Sequence, residues 1–345
     1  MDRRRFLSAS AAGGVALGGA AAQNANLPGK YTPSAHTAPR SPLGATLTPD
    51  YYTFADNLVI ERNQPGKPHK GKVLAAIQAH SDDITLFAAG TVAKLIDEGY
   101  TGYLIRVSND EKAGKTVGYG VVQNETDNKE AAKALGCKAF SFYYRNHRMD
   151  DCAIIELRQR LIFLFRLLQV NTVIAMDPYD HYDENPDHLV VGKAVETSCW
   201  MAGTGGGREY PEQLKAGLKP AEIREKYYHC RAPEGHNLVN RVVDISSYID
   251  QKVRANVANK GKGPAGDNGA RLRKTLAAQG RKLPLLGDND DTANFQYTKQ
   301  FVMDDFRALG KLFGVEYAET FHYIGREPNF NAGVRRYVQE HSVAL

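Results

Sequence analysis

Directly after the apolar run Lys72 to Ala79 the chain reads His80-Ser81-Asp82-Asp83. Two adjacent acids beside an imidazole at the end of a buried strand concentrate charge where desolvation is costly. A divalent cation would offset that cost. His80 can offer a ring nitrogen and Asp83 an oxygen, and a third protein ligand with an open fourth position would complete a catalytic zinc site. His188 is the candidate third ligand, in Asn185-Pro186-Asp187-His188 just ahead of an apolar helical stretch. Taken alone, a histidine of this kind is more often a hydrogen-bonded structural residue. Its neighbour Asp187 has two readings, a carboxylate that orients a ligand histidine from behind or a cap on the helix beginning near His188. His147, in the run Tyr143 to Asp151, is either a substrate contact or a solvated loop residue. Asp110, Glu111 and Lys112 follow a strand and either line the pocket or form an exposed charged turn. The pairs Tyr143-Tyr144 and Tyr227-Tyr228 are stacking surfaces for sugar rings or half-buried strand residues.

The elements that must position these residues follow from hydrophobic period. Lys72 to Ala79 reads as a strand, and Leu86 to Leu95 carries apolar residues at helical spacing. Gly102 to Val107 and Ala139 to Tyr144 repeat the strand pattern around a helix at Asn128 to Leu135, and Ala153 to Gln169 reads as a further helix. Thr172 to Met176 is an apolar, β-branched run that ends at Asp177-Pro178, where proline cannot continue a central strand. Leu189 to Trp200 reads as a helix, Leu238 to Ile245 as a late strand, and Thr298 to Phe313 as a closing amphipathic helix. Strands alternating with helices predict an α/β fold, a Rossmann-like, doubly wound and mostly parallel sheet flanked by helices, with a loop-rich C-terminal extension. Ligands of such sheets collect at the carboxyl ends of the strands, so His80 to Asp83, Ser108 to Lys112 and Asp177 to His188 are expected on one rim.

The rest of the chain sets limits. Its 345 residues are 42% apolar and 24% charged, an ordinary globular composition. The net charge of +5 includes +2 from Asp2, Arg3, Arg4 and Arg5, which leaves about +3 for a chain without its leader. That bias is too weak to argue for nucleic acid, and no basic stripe with interleaved aromatics appears. Ten His against four Cys favour imidazole and carboxylate chemistry over thiolate clusters. Cys137, Cys152, Cys199 and Cys230 are spread singly, and their pairing cannot be read from spacing. Arg3-Arg4-Arg5-Phe6-Leu7, a weakly apolar stretch and Ala20-Ala21-Ala22 fit a twin-arginine signal peptide over 1–22, and hence an exported, periplasmic or extracellular protein. Residues 23–70, rich in Pro, Thr, Ser and Asn, read as a linker or strap. A single domain is expected over 71–327, with insertions near 201–220 and 256–290, the stretch Val253 to Leu286 suggesting a mobile flap, and a tail over 328–345. No other segment approaches ~18 uninterrupted apolar residues, so after signal cleavage no span of a membrane is expected. No glycine-rich nucleotide motif follows a predicted strand.

The segments AHSDDI (Ala79 to Ile84) and NPDH (Asn185 to His188) resemble, in order and separation, the AHPDDE and HPDH hallmarks of the PIG-L/LmbE-like deacetylases. The similarity extends through RVSND, EAAKALG, VVDISSYIDQKVRA and YAETFHYIG, from about residue 70 to 325. The resemblance implies that His80, Asp83 and His188 hold one Zn2+, with iron, cobalt or manganese as alternatives, and that Asp82 is the general base. It implies an N-acylated amino sugar or glycoconjugate as substrate and removal of its acetyl or other acyl group. Three positions depart from the family: Ser81 for Pro, Ile84 for Glu, and Asn185 for the first His of HPDH, a residue implicated in protonating or stabilising the transition state. Asn185 can donate a hydrogen bond to an oxyanion but cannot titrate, so His181, Tyr182, Asp183 or His147 are candidate helpers, with Asp110, Lys112, His147 and Tyr182 as substrate contacts. Asn124 and Asp127 stand where many relatives carry Arg and Glu. The alternative is a catalytically impaired carbohydrate-binding protein on the same scaffold.

Overall fold

The structure, a computed structural model, describes residues 52–343 apart from 147–148, 152, 180–182, 184, 204–208, 230–236 and 326–329. The twin-arginine segment, His147, His181, Tyr182, Cys152 and Cys230 lie outside the described residues. The described elements run β1 (Tyr52–Glu61), β2 (Val73–Gln78), α1 (Asp83–Phe87), α2 (Ala89–Asp97), β3 (Thr101–Ser108), α3 (Val117–Ala134), β4 (Lys138–Tyr144), α4 (Ile154–Leu168), β5 (Thr172–Met176) and α5 (Pro186–Ala202). They continue with α6 (Pro211–Lys215), β6 (Glu225–His229), β7 (Asn237–Asp244), α7 (Ile249–Ala258), α8 (Asn268–Ala278), α9 (Asp290–Tyr297), α10 (Asp304–Leu312), β8 (Ala318–Ile324) and α11 (Phe330–His341).

The eight strands form one sheet in the order β1-β7-β8-β6-β5-β2-β3-β4. β8 pairs antiparallel with both β6 and β7, and every other pairing is parallel. Both faces are covered, which is why β2 reads VLAAIQ rather than alternating apolar with polar. Leu74 and Ala76 pack toward α2, α3 and α7, while Ala75 and Ile77 pack toward α4 and α5. Each fully buried large side chain of these layers, Phe165 among them, contributes about 1.5–3 kcal/mol of transfer free energy. From β2 the chain winds outward through β3 to β4 and then returns to β5 on the other side of β2. That reversal is the switch point at which ligands of open α/β sheets bind.

Several expectations are corrected here. The strap over 23–70 contains an edge strand, since β1 pairs with β7, and β6 and β8 are additional strands. Helix α3 begins at Val117, capped by the Thr116 hydroxyl, which accepts from the Tyr119 N–H at 3.2 Å. Its first turns lack an apolar stripe because the face they bury is polar: Gly120, Asn124, Asp127 and Asn128 sit against the loops of the rim. The closing helix is shorter than expected, with a π turn over Thr298–Val302 ahead of α10. Residues 328–345 are not all tail, because α11 occupies Phe330–His341. Among the described residues no helix is long and apolar enough to cross a membrane, and Cys137 and Cys199 are free thiols.

Candidate metal centre

The loop after β2 is held by its own polar groups. The Asp83 carboxylate accepts the His80 backbone N–H at 2.8 Å, and the Asp110 carboxylate accepts that of Ser81 at 3.0 Å. The Ser81 hydroxyl donates to the Asn124 side-chain oxygen at 3.2 Å, a further anchor for the turn. Gln78 closes the turn by accepting the Ile84 N–H at 3.0 Å. These bonds place the side chains of His80 and Asp83 together at the end of β2, with Asp83 as first residue of α1.

The loop after β5 is built the same way. Asp183 accepts the Asn185 N–H at 2.9 Å, Asn185 caps α5 by accepting the Asp187 N–H at 3.1 Å, and Pro186 takes the first helical turn, where its missing N–H costs nothing. The cap of α5 is therefore Asn185, which corrects the cap reading of Asp187. Asp187 instead pairs with His80 Nε2 at 2.9 Å, the orienting alternative. Asp183 pairs with His188 Nδ1 at 2.5 Å. With carboxylates as acceptors, these two ring nitrogens carry the protons. The opposite nitrogens, His80 Nδ1 and His188 Nε2, then face each other at 3.1 Å, with Asp83 oxygens at 3.5 Å and 3.3 Å from them.

One ligand atom from each of His80, Asp83 and His188 thus lies within 4.8 Å of the others, and all three residues are buried. Two imidazole nitrogens and one carboxylate oxygen, each imidazole oriented by a carboxylate behind it, fit a transition-metal ion. The electrostatics agree. Burial by itself would lower the His188 pKa, but Asp83 and Asp183 outweigh it and push the group up to about 9. Burial likewise works to raise Asp83, and His188 and His80 overcome it, holding the carboxyl well below its ordinary value. A positive charge is wanted between these groups. Asp183, named from sequence only as a candidate proton helper, is an orienting residue in this geometry. Replacing Asp183 by Asn, which leaves the size unchanged and weakens the acceptor, is expected to lower zinc affinity by about 10–100-fold in a chelator competition.

Asp82 is 7% exposed and is not among the converging ligands. Its Oδ1 makes no hydrogen bond among the described residues, while Lys262 Nζ stands 3.5 Å away. Lys262 reaches the site from the loop between α7 and α8, part of the stretch expected to be a mobile flap. That loop is tied down: Asn259 donates to Thr85 at 2.6 Å, the Gly261 N–H to Asp127 at 2.7 Å, and Lys262 to Asp110 at 2.8 Å. Gly263 then passes Asp82 so closely that a β-carbon would lie 3.4 Å from that of Asp82, with a φ of +83° that favours glycine.

Of the expected substrate contacts, Asp110 is fully buried, with one oxygen on Lys262 and the other on the Ser81 N–H and, at 3.4 Å, on Arg106. Burial would raise its pKa, but Lys262, His80 and Arg106 together hold it below the ordinary range. It supports the loop rather than offering itself to a ligand. Lys112 is exposed, and its backbone N–H donates to Asn146 at 3.0 Å. Tyr227 and Tyr228 are core residues of β6. Asn185 keeps its side-chain N–H2 group without a hydrogen-bond partner among the described residues, since its oxygen serves as the cap. Sequence reading missed His229 altogether. It ends β6 at 1% exposure, and burial, helped by His188 and Lys252 against Asp83 and Asp177, lowers its pKa to about 4.

Residues 75–199, which contain both loops of the trio, match the model of the PIG-L family, GlcNAc-PI de-N-acetylase. A diacetylchitobiose deacetylase from Thermococcus kodakarensis is 26% identical over 194 residues, 53% of this chain and 67% of that protein. Among solved structures, the N,N'-diacetylchitobiose deacetylase of Pyrococcus horikoshii superposes with a TM-score of 0.58 at 20% identity, covering 76% of this chain and 87% of its own. GalB, a 4-carboxy-2-hydroxymuconate hydratase from Pseudomonas putida, superposes at 0.53 and 17% identity over 75% of this chain and 98% of its own. The fold is thus shared with proteins of different named activities. The loops that carry the trio lie inside the segment that matches the PIG-L family model.

Proposed function

We propose that this protein is an exported, zinc-dependent hydrolase that removes the acetyl group from an N-acetylated amino sugar or glycoconjugate. The observation that carries the reading is the trio His80, Asp83 and His188, converging within 4.8 Å, beside a second carboxylate, Asp82, that is not among the converging groups. The substrate class comes from the relative named diacetylchitobiose deacetylase. Export rests on the order of basic, apolar and small residues over 1–22.

Zinc held by His80, Asp83 and His188 would polarise the amide carbonyl and acidify water toward a pKa of ~7. Asp82 supplies the proton traffic. Its oxygen without a hydrogen bond accepts the proton of the attacking water as the new C–O bond forms at the acyl carbon. It returns that proton to the amide nitrogen as the C–N bond breaks, leaving acetate and a free amine. The unpartnered N–H2 of Asn185 can donate to the acyl oxygen while it carries negative charge. Lys262, fixed by Asp110, places a cation over Asp82 and limits water around it.

The test is acetate release by the zinc-loaded chain from a panel of N-acetylated sugars that includes N,N'-diacetylchitobiose, with the new amine quantified in parallel. Binding of a sugar with no acetate formed would favour the alternative, a carbohydrate-binding protein. The export half is tested separately. Substituting Arg3 and Arg4 by Lys should retain the chain in the cytoplasm with its leader attached, read by intact mass.

A further inference from the structure

His229 is the last residue of β6, paired in register with Met176, the last residue of β5. Its carbonyl accepts the N–H of Asp177, the first residue of the loop that leads on to Asp183 and His188. It therefore stands on the same rim as the metal centre, one strand further along the sheet. Two-residue alternation puts its side chain on the face of Tyr227 rather than that of Tyr228, hence toward α1. There its ring stacks on Phe87 with centroids 5.5 Å apart and an interplanar angle of 16°. Asp83 opens the same short helix.

Neither ring nitrogen of His229 has a hydrogen-bond partner among the described residues, although the side chain is buried. A buried imidazole with neither nitrogen bonded within the protein is available to a ligand as hydrogen-bond partner. After burial itself, the charges felt most strongly by the ring are those of Asp83 and His188. Yet its nitrogens are not part of the converging cluster, which holds His80, Asp83 and His188 only. His229 is beside the metal position and is not one of its ligands. A neutral imidazole offers one N–H donor and one acceptor, with no ionic partner to hold either away from a ligand.

We propose that His229 is a further catalytic residue: its ring N–H donates a hydrogen bond to the acyl oxygen of the substrate as that oxygen gains negative charge, and to the carboxylate of the acetate product afterwards. No proton is transferred in this role. It rests on the deacetylase reading for the reaction, while the acetate-binding part stands on the site alone.

The experiment compares the zinc-loaded full chain with His229→Leu, which removes both unpaired nitrogens, and His229→Gln, which restores a donor. Metal content, thermal unfolding, acetate affinity by calorimetry, and kcat and KM for N,N'-diacetylchitobiose are measured on each. His229→Leu should keep one zinc and a melting temperature at or above that of the parent, bind acetate about tenfold more weakly, and lose about 10²-fold in kcat with little change in KM. His229→Gln should recover part of both losses. Acetate affinity unchanged to within about twofold in His229→Leu, or in His229→Phe if the leucine variant does not fold, overturns the proposal. So does loss of zinc from His229→Leu, which would make the residue a ligand. If the parent chain hydrolyses no N-acetylated sugar while His229→Leu weakens acetate binding, the deacetylase reading falls and the hydrogen bond stands.

Discussion

Replacing Asp82 by Asn is expected to leave a folded chain with one zinc bound and to lower kcat by about 10²–10⁴-fold at a KM close to that of the parent. The substitution preserves shape while removing the negative charge and, with it, the ability to take a proton. Metal retention follows because the converging atoms belong to His80, Asp83 and His188. Folding follows because Asp82 Oδ1 makes no hydrogen bond among the described residues that an amide would break, and Lys262 keeps Asp110 at 2.8 Å as its partner. Parallel measurements of metal content by mass spectrometry and of acetate release separate the two effects. A kcat reduced by less than about threefold would remove Asp82 from the proton steps, and the role would pass to another group on the rim.

Truncating His188 or Asp83 to Ala should act on the metal instead, with zinc affinity falling by more than about 10²-fold, beyond the loss expected for the orienting Asp183. The same trio predicts how metal binding responds to pH. In the metal-free chain His188 holds its proton up to about 9, whereas its ordinary value is 6.5. A folded-state pKa raised in this way adds stability that is complete below 6.5 and is lost as pH rises through about 9. The ion must displace that proton, so apparent zinc affinity should climb by about tenfold per pH unit toward 9 and level off above it. Over this range the metal-free protein loses stability while the loaded one does not, and the rise in melting temperature on adding zinc should therefore grow with pH. Unfolding scans at pH 6, 7 and 8 with and without zinc would show it. His188→Ala should abolish both the zinc-induced rise and its pH dependence, and one zinc retained per chain by that variant would refute the ligand assignment.

A twin-arginine leader over 1–22, as proposed above, would export the chain already folded, which suits a buried trio that takes up an ion. Each of the three ligand residues is under about a tenth exposed, so loading is expected to accompany folding rather than follow it.

What could be read from the amino-acid sequence alone was local. His80 and Asp83 are three residues apart, joined by a backbone-to-carboxylate bond of 2.8 Å, so the turn that builds their half of the site is encoded where they stand. Asn185, Pro186 and His188 belong to one helix start, whose capping chemistry is equally local. The continuous apolar strands β2 and β5 announce a sheet covered on both faces, and with it a rim at their carboxyl ends. Helix α3 was only half legible, because its polar buried face erases the apolar period over its first turns.

The tertiary structure decided which residues from elsewhere meet that rim. Lys262 reaches Asp82 across 180 positions of sequence, on a loop that is hydrogen-bonded to Asp127 and Thr85. Asp183 is five residues from His188, and only the fold shows that its carboxylate meets the ring nitrogen opposite the trio. His229 ends an undistinguished five-residue strand and gains its meaning from the register of β6 on β5. Sequence spacing specifies turns and helix starts because their hydrogen bonds connect near neighbours. Strand order and register depend on packing between distant segments, and no short motif carries them.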